Sequence, residues 1–570
     1  MGKDMFQRRP IILCFYFLSL LILLEAWHRS NIIDVFKWLG DKPILFFFNL
    51  LLLYLFFLVL KLLTRRIRVA LWVLSLSMLT FFTISRIKLN LKGEPFLPWD
   101  FSLGKEAAKI GEYFNLVSIG DVTFLFLLAL FFILVPFAFS NQKLEAKMGG
   151  VMVLLSMLLI ILFYVNSMNG QVHWHQSISY QVNGVQGGFI QAIKEMRINE
   201  PDGYSETTIN ELREQFSKVE SSLGKKPNII FIMNEAFWDP MRLTNVKFNE
   251  DPLPFFRELQ QNYTSGNLLA PVFGGSTANT EFEVLTGSSM HLLPHGTLAY
   301  AHFIRGSQPS LASILSEEGY RAVAIHTYLD WFYQRDVVYE QFGFEQFFSL
   351  ENFINPEYRR GFIADMEMSR RIMKEHQSSE EPLFIFAVTM QNHSPFDLNQ
   401  YDEDRIKVTG PFSSTLEKKM STYSTGVKDA DDSLKLLVDY FEKIEDPTVI
   451  VFFGDHLPLL GDLYTESNYI NDINPKHWSI EEYQKMYSVP FVVWDNFQQE
   501  KQSELYMNSS FLGAYVLDQY ALQQPPFMKF LNEVRKNDRP IISANNGINE
   551  ISDEFYKKYQ LLQYQQLFGE

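Results

Sequence analysis

Five apolar stretches, each near the roughly 20 residues needed to cross a bilayer, occupy the first third of this 570-residue chain and restrict what it can become. They lie at residues 11–27, 43–63, 69–87, 122–140 and 149–165. Each is too long for an ordinary core strand. The first follows Lys3, Arg8 and Arg9 as a signal peptide would, but it lacks a small-residue cleavage pattern and further spans follow, so it reads as an uncleaved membrane helix.

Short cytoplasmic loops are enriched in Lys and Arg. Lys3, Arg8 and Arg9 before the first span, and Lys61, Arg65, Arg66 and Arg68 around the second loop, place both on the cytoplasmic side. Alternation adds Lys143 and Lys147 to that side and leaves everything after Val165 outside. The third loop runs against the rule with Arg86, Lys88 and Lys92, though it also carries Glu94, Asp100, Glu106 and Glu112. Its segment FLPWDFSLGKEAAKIGEYF is partly apolar and partly helical, suited to the outer interface or to a plain connection.

Residues 169–224 turn polar and charged and read as a linker that carries a catalytic unit away from the bilayer. His173 and His175 could share a metal on one strand face, but with Trp174 between them an interfacial anchor is the better reading. A net charge of −15 argues against a nucleic-acid partner, which would need a basic footprint. The single cysteine, Cys14, lies inside the first span, so an outer domain must be stabilised by core burial and not by disulfides. A Gram-positive cell membrane fits that usage.

Four β-branched apolar runs in the second half each end at residues able to bind a metal or a phosphate. NIIFIM leads to Asn234-Glu235, AVAI to His326, FIFAVTM to Asn392-His393, and TVIVFF to Gly454-Asp455-His456. Such runs are the mark of strands buried on both faces of a parallel sheet, and ligands of open α/β sheets bind beyond the carboxyl ends of those strands. Four such ends point to one shared site.

PVFGGSTANTEFEVLTGSS places Gly274, Gly275, Ser276 and Thr277 directly before a helix, whose free N–H groups and dipole favour an anion. A threonine hydroxyl becomes a competent nucleophile only when a base or a metal lowers its pKa. Ordinary capping by Ser276 or Thr277 explains the same spacing.

KPNIIFIMNEAFWD, GGSTANTEFEVLTG, HTYLDWFYQRD, QNHSPF and FFGDHLP, in this order behind five spans and a linker, resemble the lipoteichoic acid synthase family. These are membrane-anchored phosphoglycerol transferases of the alkaline phosphatase and sulfatase superfamily. The resemblance implies an α-helical membrane domain over 1–168, the linker, and a sulfatase-like α/β domain over 225–570 with a central, mostly parallel sheet. It implies that Glu235, Thr277, Asp455 and His456 surround one divalent cation, usually Mn2+ with Mg2+ possible, and that Thr277 is the nucleophile. A set of hard carboxylates with one imidazole suits manganese better than calcium. His326, Arg335 and His393 are assigned to the phosphoglycerol head group, with Arg335 able to clamp phosphate oxygens and Asp330, Trp331 and Tyr333 shaping the pocket.

The implied reaction has two steps. Thr277 attacks the phosphorus of phosphatidylglycerol, releasing diacylglycerol, and a glycolipid or teichoic-acid-type polymer acceptor then takes glycerol phosphate from the threonine, with His393 or His326 as base. One departure stands out: the family commonly has Lys before the nucleophile where this chain has Ser276, which bears on the donor or acceptor more than on the chemistry. A phosphoethanolamine transferase or phosphodiesterase of the same superfamily would share the metal and the threonine. A formylglycine sulfatase is disfavoured, because no C/S-x-P-x-R setting occurs, and a transporter is disfavoured by spans that are nearly free of charge. The polar, helical C-terminus, EFYKKYQLLQYQQLF, has no role assignable from sequence.

Overall fold

The computed structural model describes residues 2–92, 95–103, parts of 126–138, and 176–569 apart from 196–197, 222–225, 397–399, 474, 498–499 and 544–547. The chain divides into two compact units, residues 1–198 with 294–296, and residues 199–293 with 297–570.

In the first unit, helices α1 (Gly2–Arg29), α3 (Pro43–Thr64) and α4 (Ile67–Lys92) contain the segments Ile12–Arg29, Pro43–Thr64 and Ile67–Leu89, each long and apolar enough to span a bilayer. These match the first three expected spans. The stretch at 122–140 is described only in part, ending in a 3-10 turn at Val135–Ala138, and 149–165, His173 and His175 lie outside the described residues. Between α1 and α3 runs a short amphipathic helix, α2 (Ile32–Asp41), capped by the Asn31 side chain. Helices α5 (Gln176–Asn183) and α6 (Val185–Glu195) fall in the stretch read as linker and pack within this unit. Buried polar groups fasten them. Glu25, ion-paired with Arg29 at 2.9 Å, accepts from Val185 N–H at 2.8 Å, and Asn49 bonds Asn183 O and Gly187 N–H.

The second unit is built on an eight-stranded sheet of strands β1 (Asn228–Asn234), β2 (Thr264–Leu269), β3 (Arg321–His326), β4 (Gln346–Phe348), β5 (Leu383–Val388), β6 (Thr448–Gly454), β7 (Ser488–Asp495) and β8 (Leu505–Asn508). Their order is β8-β2-β7-β6-β1-β5-β3-β4, and only β7 runs antiparallel to its neighbours. The expected mostly parallel sheet is present. All residues of β1, β5 and β6 are buried, which is why these strands read as unbroken apolar runs without alternation.

Helix α7 (Thr277–Thr286) is buried along its whole length, so its sequence carries no amphipathic stripe. It ends at Gly287, whose φ of 72° is the left-handed cap that glycine supplies without strain. The C-terminal helix α8 (Asp553–Phe568) grips the chain just past this point. Tyr559 O–H donates to Gly287 O at 2.6 Å, and the Gln563 side chain meets both Ser289 N–H, at 2.7 Å, and Ser289 O, at 3.0 Å. The segment without an assignable role is thus a brace for α7. Replacing Gln563 by Leu leaves a buried N–H and C=O without partners, at about 1–3 kcal/mol each. A lowered melting temperature is expected, with KM unchanged because the reactive end of α7 is untouched; a melting temperature equal to that of the unmodified protein would contradict this bracing.

Candidate active site

The carboxyl ends of β1 and β6 lie side by side, Asn234 opposite Gly454, and deliver Glu235 and Asp455-His456 to one place. Only glycine fits at 454, because a Cβ there would stand 2.1 Å from Phe237 O. That close approach lets the chain after β1 fold over the end of β6. Ala236, in left-handed backbone at φ 50°, donates its N–H to Asp455 Oδ1 at 2.8 Å, and its carbonyl accepts from Tyr423 O–H at 2.9 Å. Those bonds offset the roughly 1 kcal/mol that such a conformation costs a non-glycine residue.

Glu235, Asp455 and His456 are all buried and can bring one ligand atom each within 4.8 Å of one another. His456 Nε2 lies 3.1 Å from Asp455 Oδ2 and 3.8 Å from Glu235 Oε1. Its Nδ1 faces Leu457 O at 2.9 Å, so Nδ1 carries the proton and Nε2 offers its lone pair. That Nε2 is buried without a hydrogen-bond partner. An orphaned imidazole nitrogen aimed between two carboxylates fits a divalent cation, and the backbone carbonyl on the other ring nitrogen is the usual orienting partner of a metal-binding histidine. Burial, and then the neighbouring Asp455 charge, push the Glu235 carboxyl well above its usual range, the response expected of adjacent buried carboxylates.

Thr277 opens α7 beside this cluster. Its hydroxyl donates to Asp455 Oδ2 at 2.9 Å, and one turn on, Thr280 O–H donates to Asp455 O at 2.9 Å. Ser276, at φ 64°, precedes it in left-handed backbone and makes no capping bond with its side chain. The side-chain cap allowed by the sequence is therefore not made by Ser276. Gly274, at φ 68°, packs against Leu459, which already occupies the place a Cβ would take.

His326 ends β3 next to β5, with Nδ1 3.0 Å from Val388 O and Nε2 3.2 Å from Arg335 Nη1. Burial, and then Arg335, hold its pKa well below the usual histidine value, so it stays neutral. Arg335 is itself buried, with its guanidinium turned to Glu281 of α7 and resting 5.2 Å from the centre of the Tyr333 ring. Trp331 and Asp330 are partly exposed to exposed, and Asp330 Oδ1 accepts from Trp331 N–H. His393 is half-buried in the loop after β5, with Nδ1 2.6 Å from Ser394 O. Glu235, Thr277, Asp455 and His456 are thus brought together directly, and His326 and Arg335 form an adjoining pair.

Two residues missed in the sequence shape this site. Arg360 spreads its guanidinium over the loop that carries His393, donating to Gln391 O, His393 O and Pro395 O at 3.1, 3.1 and 2.8 Å. Asp365 accepts from Asn234 Nδ2 at 2.8 Å behind Glu235, and burial pushes its carboxyl up to about 7. Neither sits in an apolar run or a glycine-rich turn. Arg360→Gln forfeits three charge-assisted bonds to the loop, each about 1.5–3 kcal/mol. Turnover is expected to fall at least tenfold with metal affinity unchanged; full activity would rule out loop-holding by Arg360.

Glu283, on the opposite side of α7 from Glu281, accepts from Met290 N–H at 2.8 Å and Ser509 O–H at 2.7 Å, and burial raises its carboxyl to about 7 from 4.5. Between those values the folded chain keeps a proton that the unfolded chain has given up, so this group's contribution to stability declines as pH rises from about 4.5 through about 7. Melts of the whole protein at pH 5 and pH 8 are expected to show a smaller fall for Glu283→Gln than for the unmodified chain. Equal falls would contradict the assignment.

A parallel sheet presenting a hydroxyl at a helix N-terminus to a buried carboxylate–histidine cluster is the design of phosphotransferases in the alkaline phosphatase and sulfatase superfamily. The chain belongs to the sulfatase family, whose model matches residues 227–520. It is 36% identical over 411 residues, 70% of this chain and 64% of the relative, to a protein of Rhizobium meliloti (strain 1021) named for cyclic beta-1,2-glucan modification. It is 25% identical over 295 residues, 50% of this chain and 45% of the relative, to the lipoteichoic acid synthase-like YvgJ of Bacillus subtilis (strain 168). Among solved structures it is similar to the Streptococcus pyogenes phosphoglycerol transferase GacH in complex with sn-glycerol-1-phosphate, with TM-score 0.55 and 22% identity, covering 65% of this chain and 96% of that one.

The chain spans less than two thirds of the length of these curated relatives. The kinship with lipoteichoic acid synthases read from the motifs is borne out. A Gram-positive setting is not supported, since relatives occur in Rhizobium meliloti as well as in Bacillus subtilis.

Proposed function

We propose that this protein transfers glycerol phosphate from phosphatidylglycerol to a cell-envelope glycan through a glycerophosphoryl-threonine intermediate, with its catalytic unit outside the cytoplasm. The observation that carries the reading is the Thr277 hydroxyl held 2.9 Å from Asp455 Oδ2, beside a buried His456 Nε2 that has no hydrogen-bond partner. Glu235, Asp455, His456 and Thr277 would hold one divalent cation, Mn2+ or Mg2+, which when bound lowers the pKa of the hydroxyl and offsets charge on the phosphoryl oxygens. Thr277 Oγ forms a bond to phosphorus as the bond from phosphorus to the diacylglycerol oxygen breaks, and that oxygen leaves with a proton as diacylglycerol. A glycan hydroxyl then attacks the same phosphorus, losing its proton to a base while Thr277 regains its own. Helices long enough to span a bilayer would keep the site near a lipid donor and raise its effective concentration.

The head-group choice rests on the relatives whose names speak of lipoteichoic acid synthesis and of phosphoglycerol transfer. A glycan acceptor, in place of a teichoic-acid-type polymer, is favoured by the Rhizobium relative named for glucan modification. Ser276, where lipoteichoic acid synthases commonly carry Lys, is consistent with a different acceptor.

The test is the whole protein in lipid nanodiscs with Mn2+, given fluorescent phosphatidylglycerol or, separately, fluorescent phosphatidylethanolamine, with and without a cyclic β-glucan. Diacylglycerol release from phosphatidylglycerol alone, accelerated by the glucan, is the expected result. Release from phosphatidylethanolamine alone would make the protein a phosphoethanolamine transferase and overturn the head-group assignment.

A further inference from the structure

Arg335 was expected to clamp a phosphate with its planar fork, yet most of that fork is already engaged. Nε donates to both Glu281 oxygens at 3.1 and 3.2 Å, and Nη2 donates to Glu281 Oε1. Nη1 donates to His326 Nε2 at 3.2 Å and to Phe332 O at 3.1 Å. Of the five N–H groups of a guanidinium, one on Nε, two on Nη1 and one on Nη2 are thereby taken, leaving one on Nη2. A guanidinium so placed cannot grip an anion with two parallel bonds while it keeps Glu281.

The same bonds fix His326. A guanidinium can only donate, so His326 Nε2 must accept, and Nδ1 must therefore carry the proton it gives to Val388 O. With its lone pair covered and its proton committed, His326 is not placed to remove a proton from an acceptor. Glu281 is in turn held by two more donors, Tyr300 O–H at 3.1 Å and Tyr339 O–H at 2.6 Å, both on its Oε2. Both phenols are buried, and burial followed by the Glu281 charge keeps them protonated as donors. Glu281 lies one turn beyond Thr277 on the same helix, so any adjustment of α7 moves the nucleophile candidate and the anchor of Arg335 together.

We propose that Glu281 is the positioning residue of the head-group site: anchored by Tyr300 and Tyr339, it aims and neutralises Arg335, which in turn locks His326 as a neutral Nδ1–H tautomer. The proposal rests on the phosphoglycerol reading for its substrate, but not for its geometry. Glu281→Gln keeps the shape and removes the charge that Arg335 needs.

The experiment is a double-mutant cycle of Glu281→Gln and Arg335→Gln in the full-length protein in nanodiscs, read as diacylglycerol release, together with 15N-histidine spectra of the same proteins assigned through His326→Gln. Glu281→Gln is expected to lower kcat by about 100-fold, the scale of losing one preorganised electrostatic contact, and by less than about threefold once Arg335 is already Gln, since coupled residues are not additive. In the spectra, His326 should hold one Nδ1–H tautomer from pH 6 to pH 8 and lose it in Glu281→Gln. Tyr339→Phe, which removes one hydroxyl and leaves the ion pair, should show a smaller loss in the same direction, and carries the test if Glu281→Gln fails to fold. Additive losses, or a His326 tautomer indifferent to Glu281 and Tyr339, would overturn the proposal. A protein inactive on phosphatidylglycerol but with the expected coupled His326 spectra would overturn the substrate reading and leave the positioning role standing.

Discussion

Thr277→Ala is expected to lower turnover by about 10^5–10^6, the loss seen when an enzyme's nucleophile is removed while its binding groups remain. The rest of the site should survive. Asp455 Oδ1 keeps its bonds to the N–H groups of Ala236 and His456, both at 2.8 Å, and Asp455 O keeps Thr280 O–H, so only the bond to Oδ2 is lost. The variant should fold, melt near the unmodified protein and still bind Mn2+, more weakly by the share of one hydroxyl. Thr277→Ser should restore part of the rate, because it keeps the oxygen and gives up only the methyl that limits its rotamers. Mass spectrometry adds a second readout: brief exposure to phosphatidylglycerol should add a glycerophosphoryl group to the peptide bearing Thr277 and to no peptide of the alanine variant. Full activity in Thr277→Ala would end the covalent mechanism, and an adduct on a different residue would relocate the nucleophile.

Strands buried on both faces announce themselves in sequence, which is why β1, β3, β5 and β6 and the residues after them were legible. Each is a short apolar run with no polar interruption, and the next residue must face the rim of the sheet. The antiparallel strand β7 was not legible. SVPFVVWD contains Pro490, a residue that argues against an interior strand. Pro490 pairs opposite Asn267 of β2 but lies one residue beyond the ladder with β6, which ends at Phe453 opposite Phe491.

The partners of the site residues were hidden for a different reason. Glu281 and Arg335 are 54 positions apart, and a glutamate inside TANTEFEVLT looks like a solvated helix position until the whole helix proves buried. Arg360 looks like loop charge in YRRGF, and only the fold shows that it holds the His393 loop by its carbonyls. Motifs mark groups that need a particular chemistry. Residues that aim those groups need only a particular place, and place is set by tertiary packing. Polar residues inside α1 show the same limit: Glu25 and Arg29 satisfy one another, and Glu25 also accepts from the N-terminus of a neighbouring helix, pairings that the sequence of an apolar stretch does not show.

Asp455→Asn is expected to raise the dissociation constant for Mn2+ by at least about 100-fold, the upper end of what removal of a supporting group costs a metal site, and to take turnover down with it. The carboxylate does more than supply a ligand. Oδ2 lies 3.1 Å from His456 Nε2 and accepts the Thr277 proton at 2.9 Å, so one oxygen ties the metal-binding candidate to the nucleophile candidate. The amide can keep the bonds from Ala236 and His456 N–H on its oxygen, but its NH2 then faces the Thr277 hydroxyl and His456 Nε2 as a donor where an acceptor stood. The fold should tolerate this, because the buried negative charge that repels Glu235 disappears with it. The metal-free variant is accordingly expected to melt at or above the metal-free unmodified protein at pH 8, while gaining less on addition of Mn2+. Titration calorimetry with Mn2+ and paired melts with and without the ion separate these effects: metal affinity unchanged in Asp455→Asn would remove Asp455 from the cation site, and a large loss of stability before any metal is added would show that its hydrogen bonds, and not its charge, are its main contribution.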